Sequence, residues 1–163
     1  MAVKKTGLSA ELLIHPGETI ADILEERGMT QVELAARSGV SAAYVSNVIS
    51  GKKGISAGFA MGLEYALDVP KSFWLNLQAN YDAELLELNE AATINDEEKN
   101  MLGNLGEVVQ YLSAAGVLSQ DVTCEQMILA LRKNLHISNL ANLYRVVPGG
   151  TYDDFKLAYG WED

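Results

Sequence analysis

One cysteine, Cys124, and two histidines, His15 and His136, are the only thiol and imidazole groups in this 163-residue chain. A lone thiol closes no internal disulfide, and three such side chains fall short of the ~four ligands of a structural zinc site, so no cross-link, metal or cofactor is expected. No apolar run approaches the ~18 residues of a spanning helix, and Lys4 and Lys5 precede no signal-like apolar segment, so the expected address is the cytoplasm. Basic residues are scarce: 12 Lys and Arg stand against 22 Asp and Glu, a formal net charge of −10. Up to Asn89 there are 7 basic and 11 acidic residues, and beyond it 5 and 11, so neither part can coat a polyanion by bulk charge. A local reading surface stays open. Phosphate-loop, dinucleotide, nucleophile-elbow and His-Glu-x-x-His patterns are all absent, and no enzyme is expected.

What is present is an apolar content of 48%, enough for one compact domain or two small ones. Prolines occur only at 16, 70 and 148, and apolar residues recur at spacings of three and four, which reads as an all-α chain. His15-Pro16-Gly17-Glu18 predicts a helix start, with Ile20, Ile23 and Leu24 on one face and a stop at Gly28. Thr30-Gln31-Val32-Glu33 has the form of a reciprocal capping box for a second helix carrying Leu34 and Ala35 inward. After Ser38-Gly39-Val40, Ser41 can cap a third helix with Val45, Val48 and Ile49 inside, closed by Gly51. So short a turn forces the two helices to cross steeply, the geometry of a helix-turn-helix. A fourth helix is predicted from Ser56 to Leu67. A fifth starts at Pro70 with Phe73, Trp74, Leu77 and Tyr81 as its apolar stripe.

Residues 90–98 are acidic and poor in large apolar side chains, and they are expected to be a linker between a domain at 1–89 and a helical module at 99–163. In that module Met101, Leu105, Val108, Val109 and Leu112 fit a helix interrupted at Gly103 and Gly106. Thr123-Cys124-Glu125-Gln126 is a second capping box, a short helix is expected over Asn139–Arg145, and Thr151 can cap a last one. His15 and His136 are expected to be structural, and Cys124 a small residue packed at its capping box.

The first half resembles the HigA-like antitoxins, a branch of the Cro/phage-repressor (XRE) helix-turn-helix family. The residues that carry the resemblance are His-Pro-Gly-Glu at 15–18, Gly-Met-Thr-Gln-Val-Glu-Leu-Ala at 28–35, Ser-Gly-Val-Ser at 38–41, Ile-Ser-Gly-Lys-Lys at 49–53 and Phe-Trp-Leu-Asn-Leu-Gln-Ala-Asn-Tyr-Asp at 73–82. The resemblance implies a five-helix repressor-type domain, followed here by the small helical module. It also implies a homodimer on operator DNA that represses its own operon and neutralises a cognate RNA-cleaving toxin by protein contact.

In such a unit the third helix enters the major groove by its N-terminal turn. That assigns base contacts to Ala42, Ala43 and Asn47, with Asn47 suited to adenine and the alanines to thymine methyls. Gln31, Tyr44, Ser46, Lys52 and Lys53 then fall at phosphate-contact places, and Phe73, Trp74 and Tyr81 are core or dimer aromatics. Family members often carry Arg, Gln or Lys where this chain has Ala42 and Ala43. An interaction module whose helix-turn-helix binds no DNA is therefore a second reading. The second half, around Val108–Leu118 and Leu129–Leu140, resembles the segment between repressor and protease in regulators associated with ImmA/IrrE metallopeptidases. This implies a protein partner, with any peptidase on a separate chain.

Overall fold

The computed structural model describes residues 13–162, which hold ten α-helices, two short 3₁₀ turns and no strand. The chain divides after Leu88 into two compact units. Among the described residues, no helix is long and apolar enough to cross a membrane.

The N-terminal unit is built from α1 (Pro16–Arg27), α2 (Gln31–Ser38), α3 (Ala42–Ile49), α4 (Ala57–Leu67) and α5 (Lys71–Asn89). Each of the first four starts where a side chain can accept from a free backbone N–H of the opening turn. His15 Nδ1 accepts from Gly17 N (3.0 Å), Thr30 Oγ1 from Glu33 N (3.1 Å), Ser41 Oγ from Tyr44 N (3.0 Å) and Ser56 Oγ from Phe59 N (3.1 Å). The box expected at Thr30 is only half made. The Glu33 carboxylate turns away from the Thr30 N–H to accept from Arg37 Nε (3.0 Å), an ion pair one helical turn along. Replacing Ser41 by Ala orphans the Tyr44 N–H and is expected to cost about 1 kcal/mol. The thermal midpoint reads it, and a variant with an unshifted midpoint would contradict it.

The core of this unit gathers Ile20, Leu34, Val45, Val48, Phe59, Leu63 and Trp74. Two glycines set how closely its helices approach. A Cβ on Gly17 would overlap the Val48 carbonyl oxygen, and one on Gly62 would overlap the Ser38 carbonyl oxygen. The start of α1 thus lies directly on the end of α3, and α4 lies directly on the end of α2.

The C-terminal unit contains α6 (Asp96–Leu102), α7 (Gly106–Ala114), α8 (Cys124–Asn134), α9 (Leu143–Val146) and α10 (Tyr152–Tyr159), with 3₁₀ turns at Glu90–Thr93 and Leu140–Asn142. Its separate core is formed by Leu105, Val108, Ile128, Leu131, Leu140, Leu143 and Phe155. The reciprocal box at Thr123 and Gln126 is complete, and another closes between Thr151 and Asp154. Trp161 stacks on Tyr111 with ring centroids 4.6 Å apart, and Tyr159 donates its hydroxyl to the Leu135 carbonyl (2.7 Å).

Two expectations are corrected in this half, and one is sharpened. Residues 90–98 are no linker: a 3₁₀ turn and the first turn of α6 occupy them, and Glu98 is wholly buried. The physical reason is a clamp in which Glu98 accepts from Arg132 Nε (2.9 Å), Arg132 Nη2 and Leu140 N (2.8 Å), while Arg132 also donates to Thr93 (3.0 Å). The interruption expected at Gly103 and Gly106 is a complete break, with one helix ending at Leu102 and the next starting at Gly106. Cys124 is exposed rather than packed, because its position opening α8 faces water.

Candidate nucleic-acid interface

Helix α3 packs Val45 and Val48 inward, and the 3.6-residue period therefore turns Ala42, Ala43 and Ser46 outward; all three are exposed. Asn47 is half-buried at the edge of that face, and no hydrogen bond engages its side-chain amide among the described residues. The predicted base-contact residues thus share one surface. Gly39, in the left-handed conformation (φ 77°), makes the turn that presents it.

The predicted phosphate contacts divide. Gln31 is exposed in the first turn of α2, and Lys52 and Lys53 are exposed just beyond α3. The backbone N–H groups of both lysines donate to the Asn47 carbonyl (2.8 and 3.1 Å), so the end of α3 itself fixes where they leave the helix. Lys53 Nζ lies 5.9 Å from the centroid of the Tyr44 ring. Tyr44 departs from its expected role. Its ring packs edge-on against Phe59 (5.1 Å), and its hydroxyl donates to the Gly54 carbonyl (2.9 Å) and accepts from Ser56 N (3.2 Å). It is a strut between α3 and the following loop, its hydroxyl already used.

Among the aromatics, Trp74 is fully buried core, Phe73 lies edge-on to it (5.1 Å) yet is exposed, and Tyr81 stands edge-on to His15 (4.8 Å). Burial holds the His15 imidazole below its ordinary pKa, against the opposite pull of Glu18 and Asp82. The neutral ring is thereby favoured, and the hydrogen bond from Gly17 N (3.0 Å) selects the tautomer with Nδ1 as acceptor.

One positioning residue escaped the sequence reading. Gln78 of α5 accepts from Ile55 N (2.8 Å) and donates to Asp82 (2.9 Å), so it pins the loop that carries Lys52 and Lys53. With its 23-residue separation from Ile55, nothing local in the sequence announces the pair. A cleft of about 420 Å³ lies beside this loop, and Lys52, Lys53 and Asp82 are among its lining residues. The mixed signs do not suit it to a phosphate. Among the described residues, no three His, Cys, Asp or Glu side chains gather as a metal site.

A family model described as Helix-turn-helix matches residues 20–74. Virulence-associated protein A' of Dichelobacter nodosus is 42% identical over 69 residues, 42% of this chain. The match spans 60% of that relative's own length. Among solved structures, antitoxin GraA is similar at 32% identity and a TM-score of 0.47, covering 51% of this chain and 95% of its own. An addiction module antidote protein of a HigA family from Coxiella burnetii is similar at 24% identity and a TM-score of 0.44, covering 68% of this chain and 96% of its own.

Proposed function

Residues 20–74 make the N-terminal unit a helix-turn-helix domain of the XRE type, and from that premise we propose that the chain is an antitoxin-type repressor that reads operator DNA with α3. The observation that carries this reading is the outward face of α3, where Ala42, Ala43 and Ser46 are exposed beside an unengaged Asn47 amide. Asn47 is the base-reading residue and pairs with adenine through its amide. Gln31, Lys52 and Lys53 hold phosphates on either side and set the docking register. Ser46 assists from within the groove.

The protein works as a homodimer, with two copies of α3 about one helical turn apart on the duplex. Support comes from α5, a 19-residue helix with Trp74 as its one buried residue. Phe73, Leu75 and Leu86 of the same helix are exposed apolar side chains. A second copy covering this helix would take them out of water. The C-terminal unit, with its own core, is the module that holds a protein partner. In the antitoxin reading that partner is a toxin that cleaves RNA, and occupation of the promoter represses the operon.

The test is titration of the full chain with the DNA upstream of its own gene at several salt concentrations. Asn47→Ala is expected to cost about 1–3 kcal/mol on specific DNA and little on random duplex. Lys52→Ala is expected to weaken both alike and to lower the salt slope by about one ion per protomer. Equal affinity of the wild-type chain for upstream and random duplex would overturn the repressor reading. The acidic balance and the two alanines would then favour the interaction module, recognisable by a stoichiometric protein partner and no retardation of DNA.

A further inference from the structure

The side chains of the leading turn of α3 have almost nothing left with which to form hydrogen bonds. Ser41 Oγ is used in capping Tyr44 N (3.0 Å), and the Tyr44 hydroxyl is engaged by Gly54 and Ser56. Beyond the free backbone N–H groups of a helix start, what the first turn presents outward is the pair of exposed methyl groups of Ala42 and Ala43.

An alanine methyl can discriminate among base edges only by apolar contact. The C5-methyl of a pyrimidine is the apolar group that a base pair offers in the major groove. Neither side chain reaches past its own Cβ, so such contact requires the helix backbone to lie deep in the groove. The same shortness permits it, because the one long side chain on this turn, Tyr44, packs against Phe59 and the following loop and does not hold the backbone away. We propose that Ala42 and Ala43 select pyrimidine C5-methyl groups, so that thymine and 5-methylcytosine are accepted beneath them and uracil and cytosine are disfavoured. This rests on the reading that α3 docks in the major groove, and it adds a second source of specificity to the Asn47 contact.

The experiment keeps the full-length wild-type chain and changes the DNA. A duplex enriched from a random pool is remade with each thymine replaced in turn by uracil, by cytosine and by 5-methylcytosine, with complementary bases opposite. Thymine against uracil, and 5-methylcytosine against cytosine, differ by one methyl group each. At one or two positions per half-site, each lost methyl is expected to weaken binding about fourfold, the equivalent of one buried methylene. In Ala42→Gly/Ala43→Gly, checked for retained helix content, that sensitivity should vanish. Indifference to the methyl at every position would overturn the proposal. So would a sensitivity that persists in the glycine variant, since the duplex's own shape would then be its source. Failure to enrich any duplex is a separate result: it removes the DNA reading itself, and this inference with it.

Discussion

Glu98→Ala is expected to lower the stability of the C-terminal unit by about 3–5 kcal/mol, the usual cost of removing one partner from a buried ion pair. The side chain of Glu98 is wholly buried, and that of Arg132 is only 11% exposed. Without the carboxylate, Arg132 stays buried with its charge uncompensated, and the Leu140 N–H, which now donates to Glu98 (2.8 Å), loses its acceptor. A unit of this size has on the order of 4–11 kcal/mol in all. The variant should therefore retain a folded N-terminal unit beside a second one that has lost a large share of its stability and unfolds first.

The same clamp predicts acid sensitivity. Burial pushes the Glu98 carboxyl up, but hydrogen bonds from Arg132 and Leu140 outweigh it and hold the group below its ordinary value. A carboxyl depressed on folding contributes its full stabilisation above its unfolded pKa, roughly 4.3. That contribution is lost as pH falls from there through the folded value. Glu98→Gln, which keeps an acceptor for Leu140 N but carries no charge, should flatten this part of the pH profile. Urea titrations followed by the amide resonances of α8, at neutral and at acid pH, measure both effects. An α8 midpoint unmoved by Glu98→Ala at pH 7 would refute the account.

Gly17→Ala is expected to destabilise the N-terminal unit by about 3 kcal/mol, at the upper end of overpacking costs. The added methyl would meet the Val48 carbonyl oxygen, and the atoms around it are the backbone of Val48 and Ile49. Rotamer changes cannot relieve a clash with backbone, so α1 or the end of α3 must shift. Because the Asn47 carbonyl anchors the amides of Lys52 and Lys53 at that end, the shift should also weaken DNA binding. Gly58→Ala is the control: nothing lies within 4 Å of a Cβ there, and helix propensity predicts a gain of about 0.5–1 kcal/mol. The urea midpoint of the α1–α4 amides separates the two substitutions, and similar shifts for both would argue against close approach as the cause.

The elements that were legible in the sequence are those closed by neighbours. Thr30, Ser41, Ser56 and Thr123 cap helices by accepting from a backbone N–H three residues on, and each pattern is visible in a window of four. The outward face of α3 was legible for the same reason, since Val45 and Val48 identify its inner face. Tyr44 was misplaced because its hydroxyl partners lie 10 and 12 residues away. Among Asp96, Glu97 and Glu98 composition cannot tell which acid turns inward. Its cationic partner comes 34 residues later, and the backbone donor of Leu140 comes 42 later.

By itself, then, the sequence determined the helices, their caps and which side of α3 faces outward, because hydrogen bonds within one turn and a 3.6-residue period are written along consecutive residues. Only the tertiary structure decided that Tyr44 is a strut, that Gln78 pins the lysine loop, that Gly17 and Gly62 are contact points and that Glu98 closes a clamp over a segment resembling a linker. Those roles depend on which surfaces the packing brings together. Steric fit between residues dozens of positions apart has no counterpart in local spacing.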